Sequence, residues 1–234
     1  MINKPVVMTC SLLILALILS GCGGSKTASG AISSRTPSTS AVSPIPKTSS
    51  ATSKTTSQTA EALADILGHN ASISSVKYDQ VITSKNTTVT QTVWIKKTKM
   101  RMEMSQQGQA FVVLLDTETR TMYNYLPAQK IAYKVSYQKS DSALDSAASI
   151  MDYNPRVVGV ETVDGKLCAV VEYAPGGGTT VKTWIWKENG FPVRMETTSN
   201  SGKSVIEYRN VDFSNISDSM FQLPAGITVM TMPG

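Results

Sequence analysis

Cys22 closes the sequence Leu19-Ser20-Gly21-Cys22, and a thiol directly behind small residues at a leader cut site is a place for acylation. Ordinary leader cleavage needs no cysteine there. Lipoprotein processing does, because the thiol receives a diacylglyceryl group. The apolar run from Val6 to Leu19 follows Lys4 and has the length of a secretory h-region, short of the ~20 apolar residues that span a bilayer. Residues 1–22 therefore read as a lipoprotein signal peptide, and Cys22 is expected to become the acylated N-terminus, anchoring the chain to a membrane. Cys10 leaves with the leader, so Cys168 is the one thiol of the mature chain and no internal disulfide is expected.

The remaining reactive residue types do not assemble into catalysis. One thiol and one imidazole, His69, cannot build a zinc site, and no cofactor is called for. Cys168 sits in the strand-like run Lys166 to Tyr173 and reads as a small core residue. His69, between Gly68 and Asn70, reads as a cap or surface residue. No Gly-X-Ser-X-Gly elbow is present. Gly176-Gly177-Gly178 follows Pro175 between two strands and opens no helix, so it is a hairpin loop rather than a phosphate cradle. Asp116 and Glu118 flank a turn. An enzyme is not expected.

The formal net charge of +5 comes from Lys4, Lys26, Arg35, Lys47 and Lys54, all before residue 60 and with no acidic residue among them. From Ala60 onward the charges balance. Nucleic-acid binding requires a clustered basic surface, so nucleic acid is excluded as a partner.

Residues 23–59 are mostly Ser, Thr, Ala and Pro, too poor in large apolar side chains to build a core. They read as a tether with an r.m.s. span of ~35 Å. Residues 60–234 are long enough for one domain with a sizeable core. It opens with a short amphipathic helix in which Leu63, Ile66 and Leu67 share a face and Gly68 offers a stop. The hydrophobic period then changes to two. Thr87 to Lys96 and Lys99 to Ser105 form a hairpin around Lys97-Thr98, with Ile95 opposite Met100 and Val93 opposite Met102. Slipping this register by one residue would set apolar side chains against charged ones. Further strands are expected over 110–116, 119–125, 130–137, 157–163, 166–173, 179–187, 191–197 and 204–213, with hairpin signals at Asp164-Gly165 and Asn189-Gly190.

One helical segment, 140–153, interrupts the strands. It places Leu144, Ala147, Ala148 and Met151 at helical spacing, behind serine caps and before Pro155. The small-residue face suits a lid over a sheet; an ordinary core helix has the same pattern.

The order of these elements, together with three stretches, resembles the LolA/LolB superfamily of lipoprotein carriers and receptors. The stretches are Val93 to Glu103, similar to the family's Arg strand; Leu115 to Tyr125, similar to its hairpin motif; and Asp212 to Pro224, similar to its closing motif. Thr117 stands where the hairpin motif often has glycine. The resemblance implies a mainly β (α+β) fold, an incomplete antiparallel β-barrel wrapped around a few short helices, with an apolar cavity for acyl chains. The lipid anchor places this chain nearer the anchored relatives than the soluble carrier.

Within that frame Val93, Ile95, Met100, Met102, Met104, Trp184 and Trp186 are the candidate ligand-binding residues, methionine being unbranched and adaptable to acyl chains. Ordinary core packing explains the same side chains. Leu144, Ala147, Ala148 and Met151 form the candidate lid. Arg101 is the candidate gating residue, reaching Asp141, Asp145 or Asp152 on the lid, although strand alternation sets Arg101 and Glu103 opposite the methionines on a solvated face. The expected partners are a lipid or an acylated protein, bound for carriage or presentation at the cell envelope. The alternative is an envelope sensor that binds a membrane protein, marked by an exposed apolar patch outside the cavity.

Overall fold

The computed structural model describes residues 62–136 and 142–231. The leader, Cys22, the tether, and Ser140 and Asp141 of the expected lid helix lie outside the described residues. Helix α1 spans 62–68 and runs into a 3-10 turn, His69–Ser72. Six strands follow in sequence: β1 Ser75–Ser84, β2 Thr87–Lys96, β3 Lys99–Gln106, β4 Gln109–Asp116, β5 Thr121–Leu126 and β6 Ile131–Ser136. Helix α2, Ala143–Ala148, passes into a 3-10 stretch, Ser149–Tyr153. Then come β7 Arg156–Val163, β8 Lys166–Gly176, β9 Thr179–Trp186, β10 Pro192–Ser199, β11 Gly202–Asp212, a 3-10 turn Asp218–Phe221, and β12 Thr228–Thr231.

The strands form one sheet in the order β12-β6-β5-β4-β3-β2-β1-β11-β10-β9-β8-β7. Two antiparallel meanders meet where β1 pairs with β11, and the sheet is not closed, because β7 and β12 end it without pairing to each other. The β2–β3 register is the expected one, Ile95 opposite Met100 and Val93 opposite Met102. At Asp164-Gly165 both residues have positive φ, the twist a two-residue hairpin needs. Asn189-Gly190 instead belongs to a longer connection, closed by the Gly190 amide donating to the Trp186 carbonyl (2.8 Å). β12 was not legible in the sequence; it pairs parallel to β6.

Both helices pack on one face of this sheet, the inner face. Leu63 and Leu67 of α1, with Ala147 and Ile150, cover Ala169, Val171 and Ile185. Ala143 and the half-buried Leu144 cover Val76, Tyr78, Val93, Ile95, Met100 and Leu115. Each fully buried aliphatic or aromatic side chain contributes about 1.5–3 kcal/mol. The α2 N-terminus carries a capping box: the Asp145 amide donates to Ser142 Oγ (3.1 Å) and the Ser142 amide to Asp145 Oδ2 (2.9 Å).

Three contacts hold the helices to the sheet and to each other. A backbone hydrogen bond joins Ala143 to the Tyr78 hydroxyl. Asn70 Nδ2 donates to the Leu144 carbonyl (2.9 Å), tying the end of α1 to α2. Gly190 brings the β9–β10 connection against α1 so closely that a Cβ there would lie 2.3 Å from the Ile66 carbonyl oxygen.

The chain after β11 crosses the opposite, outer face as a strap. Leu223 and Ile227 pack there on Val112, Leu114, Tyr125 and Ala132.

Candidate functional site

Because strand neighbours share a face, the inner surface reads as rows across the sheet. The row nearest α2 is Val76, Ile95, Met100, Leu115 and Met122. The next is Tyr78, Val93, Met102 and Val113. Beyond it lie Tyr208, Gln80, Gln91, Met104 and Phe111, then Ile206, Ile82 and Val89. Burial changes along this sequence. Val93, Ile95 and Met100 are buried beneath α2, whereas Met102, Met104, Phe111, Ile82, Val89 and Ile206 are half-exposed. The helices thus cover only one end of the inner face. The uncovered end is a partly exposed apolar surface, hereafter the groove, crossed by a buried polar row.

Within that row Gln91 Nε2 donates to Gln80 Oε1, and the Gln80 side chain hydrogen-bonds the Tyr208 hydroxyl. Burial pushes the Tyr208 hydroxyl far above its ordinary titration range, with the Gln80 bond opposing, and burial likewise raises Tyr78. Both stay neutral at any physiological pH. The groove therefore offers methionine and aliphatic surface to an apolar chain, with amide and hydroxyl groups at its floor and no charged side chain in these rows.

Two hollows in the fold lie mainly towards the outer face. One of about 320 Å³ is lined by Thr90, Thr92, Glu103, Ser105 and neighbours. The other, about 350 Å³, lies between Phe221 of the strap and Lys99, Leu114, Tyr123 and Lys134.

Several expected site residues are elsewhere. Trp184 and Trp186 lie on the outer face, in register with Val170 and Cys168, and pack with Val193. Strand alternation decides this: Ile185 between them is the residue that meets α1. Trp184 is sandwiched between Lys182 (4.7 Å) and Arg194 (5.2 Å), and its Nε1 donates to Glu161 (2.7 Å). Cys168 is fully buried beside it, and burial raises its thiol pKa, as a structural cysteine requires.

Arg101 also faces outward and does not reach the lid. Its Nη1 donates to the Met220 carbonyl (3.0 Å) and its Nε to Glu103 (2.7 Å), so it holds the C-terminal strap. Asp145 is engaged in the α2 cap and Asp152 is exposed. Lys96 secures the strap beside Arg101, donating to the Ile216 carbonyl (2.7 Å) and pairing with Asp218 (2.8 Å), whose carboxyl it holds below the usual range.

The lid face is rotated from the expected one. Leu144 and Ala147 face the sheet, but Ala148 is exposed and Met151 is 38% exposed, while Ala143 and Ile150 are buried. The α-helix ends at Ala148, and the tighter 3-10 winding turns Ile150 inward in place of Met151. The sequence reading missed β1, and with it Gln80, Ile82 and the polar row. The alternation Val76, Tyr78, Gln80, Ile82 was the available signal.

An unclosed, mainly antiparallel sheet wound around a pair of short helices is an incomplete half-barrel, the architecture expected from the sequence. The crystal structure of an uncharacterized conserved protein from Thermus thermophilus shares it, with a TM-score of 0.55 at 12% identity over 74% of this chain and 99% of that one. LprF from Mycobacterium bovis is similar at a TM-score of 0.48 and 16% identity, over 73% of this chain and 98% of that one. The MucA/MucB complex of Pseudomonas aeruginosa gives 0.49 and 14%, over 75% and 64%. At these identities the likeness is one of fold. No curated protein matches the sequence. Residues 96–232 match the model of a family described as "-like: Uncharacterized protein", more than half of the chain, and the protein belongs to that family.

Proposed function

We propose that this protein is a lipid-anchored, extracytoplasmic lipoprotein that binds a hydrophobic ligand on its inner face and carries or presents it at the cell envelope, without catalysis. The ligand is a lipid or the acyl chains of another lipoprotein. One observation carries this reading: the helices leave one end of an apolar inner face partly exposed, and Met102 and Met104 line it beside Phe111, Ile82 and Val89. Each acyl methylene buried there would contribute ~0.8 kcal/mol. Val93, Ile95 and Met100 already pack against α2 and would join the site only if α2 lifts. That helix is six residues long and tied chiefly through Tyr78 and Asn70, which suits it to gate exchange. Cys22 would hold the domain at a membrane through the tether.

Native mass spectrometry with lipid extraction, on the full chain expressed in a bacterial envelope, tests this. Lipid should co-purify, and its occupancy should fall on Met102→Lys or Met104→Lys but not on Thr198→Lys, an exposed position that strand alternation sets on the outer face. Cys22→Ser should move the chain from the membrane to the soluble fraction. A folded chain that is empty and ignores added fluorescent fatty acid would refute the lipid reading and favour the sensor alternative.

A further inference from the structure

Strand β7 ends the sheet, and among the described residues nothing pairs with its outer edge. It is eight residues long, with neither lysine nor proline within it to discourage a partner. Val158 is 44% exposed, Val160 56%, and Leu167 on neighbouring β8 51%. The opposite edge, β12, has only four residues. At the middle of β7 stands Gly159, whose backbone does not require glycine and whose added Cβ would meet nothing within 4 Å. The β-bulge between Val157 and Gly159 accounts for a glycine there and leaves the edge open to a second strand.

We infer that β7 is the interface of a symmetric homodimer, in which two copies pair antiparallel about a two-fold axis between Val158 and Gly159. In that register Arg156 of each copy lies opposite Glu161 of the other, twice over, and Val157 lies opposite Val160. The faces agree as well. Arg156 and Glu161 pair with Glu172 and Cys168 of β8, and Val157 and Val160 with Val171 and Ala169, so each proposed pair lies on one face of the sheet. This holds only because the β-bulge between Val157 and Gly159 shifts the alternation by one residue. Sliding the partner by one residue either way sets Arg156 opposite Val160 or Glu161 opposite Val157, charge against apolar. The bulge and the charge pattern thus select the same two-fold axis. The joined edges bury the exposed valines and extend the apolar row of Val160 and Leu167 across the dimer.

The inference rests on β7 alone and stands or falls apart from the lipid reading. Two differently tagged full-length copies, co-expressed and solubilised in mild detergent, should capture each other. Arg156→Glu in both copies, or Glu161→Arg in both, should reduce capture about tenfold by placing like charges opposite each other. One copy carrying Arg156→Glu with the other carrying Glu161→Arg should restore it, since every cross-strand pair is then of opposite sign. Misfolding is not rescued by mixing; because Glu161→Arg also removes the Trp184 and Lys182 contacts of Glu161, and Arg156→Glu sets a carboxylate opposite Glu172 of β8, the unfolding midpoint of each variant is measured beside its capture. A Val158→Cys copy should form a disulfide with a Gly159→Cys copy. The inference fails if the mixed charge variants do not restore capture. It also fails if Val158→Cys couples instead to Val229→Cys on β12, which marks head-to-tail chains, or if another envelope protein is captured with no second copy.

Discussion

Replacing Gly190 by alanine tests whether the β9–β10 connection locks α1 onto the sheet. Gly190 has a φ of 71°, and a Cβ there would lie 2.3 Å from the Ile66 carbonyl oxygen and 3.0 Å from the Asn70 amide nitrogen. An L-residue in this left-handed region costs about 1 kcal/mol. The clash adds to that, because backbone on both sides must give way. Moving α1 outward weakens the Asn70 bond to Leu144, about 1 kcal/mol, and loosens the packing of Leu63 and Leu67 on Ile185, about 1–2 kcal/mol. Gly165 is the control: its φ is 75°, but an added Cβ meets nothing within 4 Å, so Gly165→Ala carries the backbone strain alone. Urea unfolding followed by tryptophan fluorescence should give a midpoint shift for Gly190→Ala about three times that for Gly165→Ala. With a slope of about 2 kcal/mol per molar, the two shifts are about 1.5–2 M and about 0.5 M. Equal shifts at an unchanged slope would refute the reasoning, showing that the contact with α1 carries no weight.

Arg101→Ala should release the C-terminal strap rather than the lid. The lost charge-assisted bond to Met220 is worth about 1.5–3 kcal/mol, so amides over 216–231 should exchange faster while α2 and lipid occupancy stay unchanged. Faster exchange confined to α2 would restore the gating role. Tyr78 and Tyr208 have folded-state pKa values raised above the ordinary 10.0 by burial, so each stabilises the fold below pH 10 and that contribution is lost as pH rises past it. In an alkaline absorbance titration these two hydroxyls should ionise only together with unfolding. Their ionisation near pH 10 in a folded chain would show that they are not buried.

The sequence by itself determined most of the strands and the pairing of chain neighbours within hairpins. The change from a 3.6-residue to a two-residue hydrophobic period after Gly68, the turn residues at Asp164-Gly165, and the alternation Val93, Ile95 opposite Met102, Met100 are local signals, and they locate strands and register without knowledge of the whole. Alternation also separates Arg101 from the methionines and Trp184 from Ile185. It says that the two sets face apart and leaves open which face is covered. That depended on where α1, α2 and the strap settle, and these contacts join residues far apart in the chain: Asn70 to Leu144, Ile66 to Gly190, Arg101 to Met220. The helices took the face of Ile185 and Met100, which left Trp184 outside and turned Arg101 from a gate into an anchor for the strap. The pairing of β1 with β11, which sets the Gln80–Tyr208 row into the floor of the groove, brings together strands at opposite ends of the domain, and no local period encodes it. The sequence set which side chains share a face; only the tertiary structure decided which face the core claimed, because burial is a property of what packs against a surface and not of the surface alone.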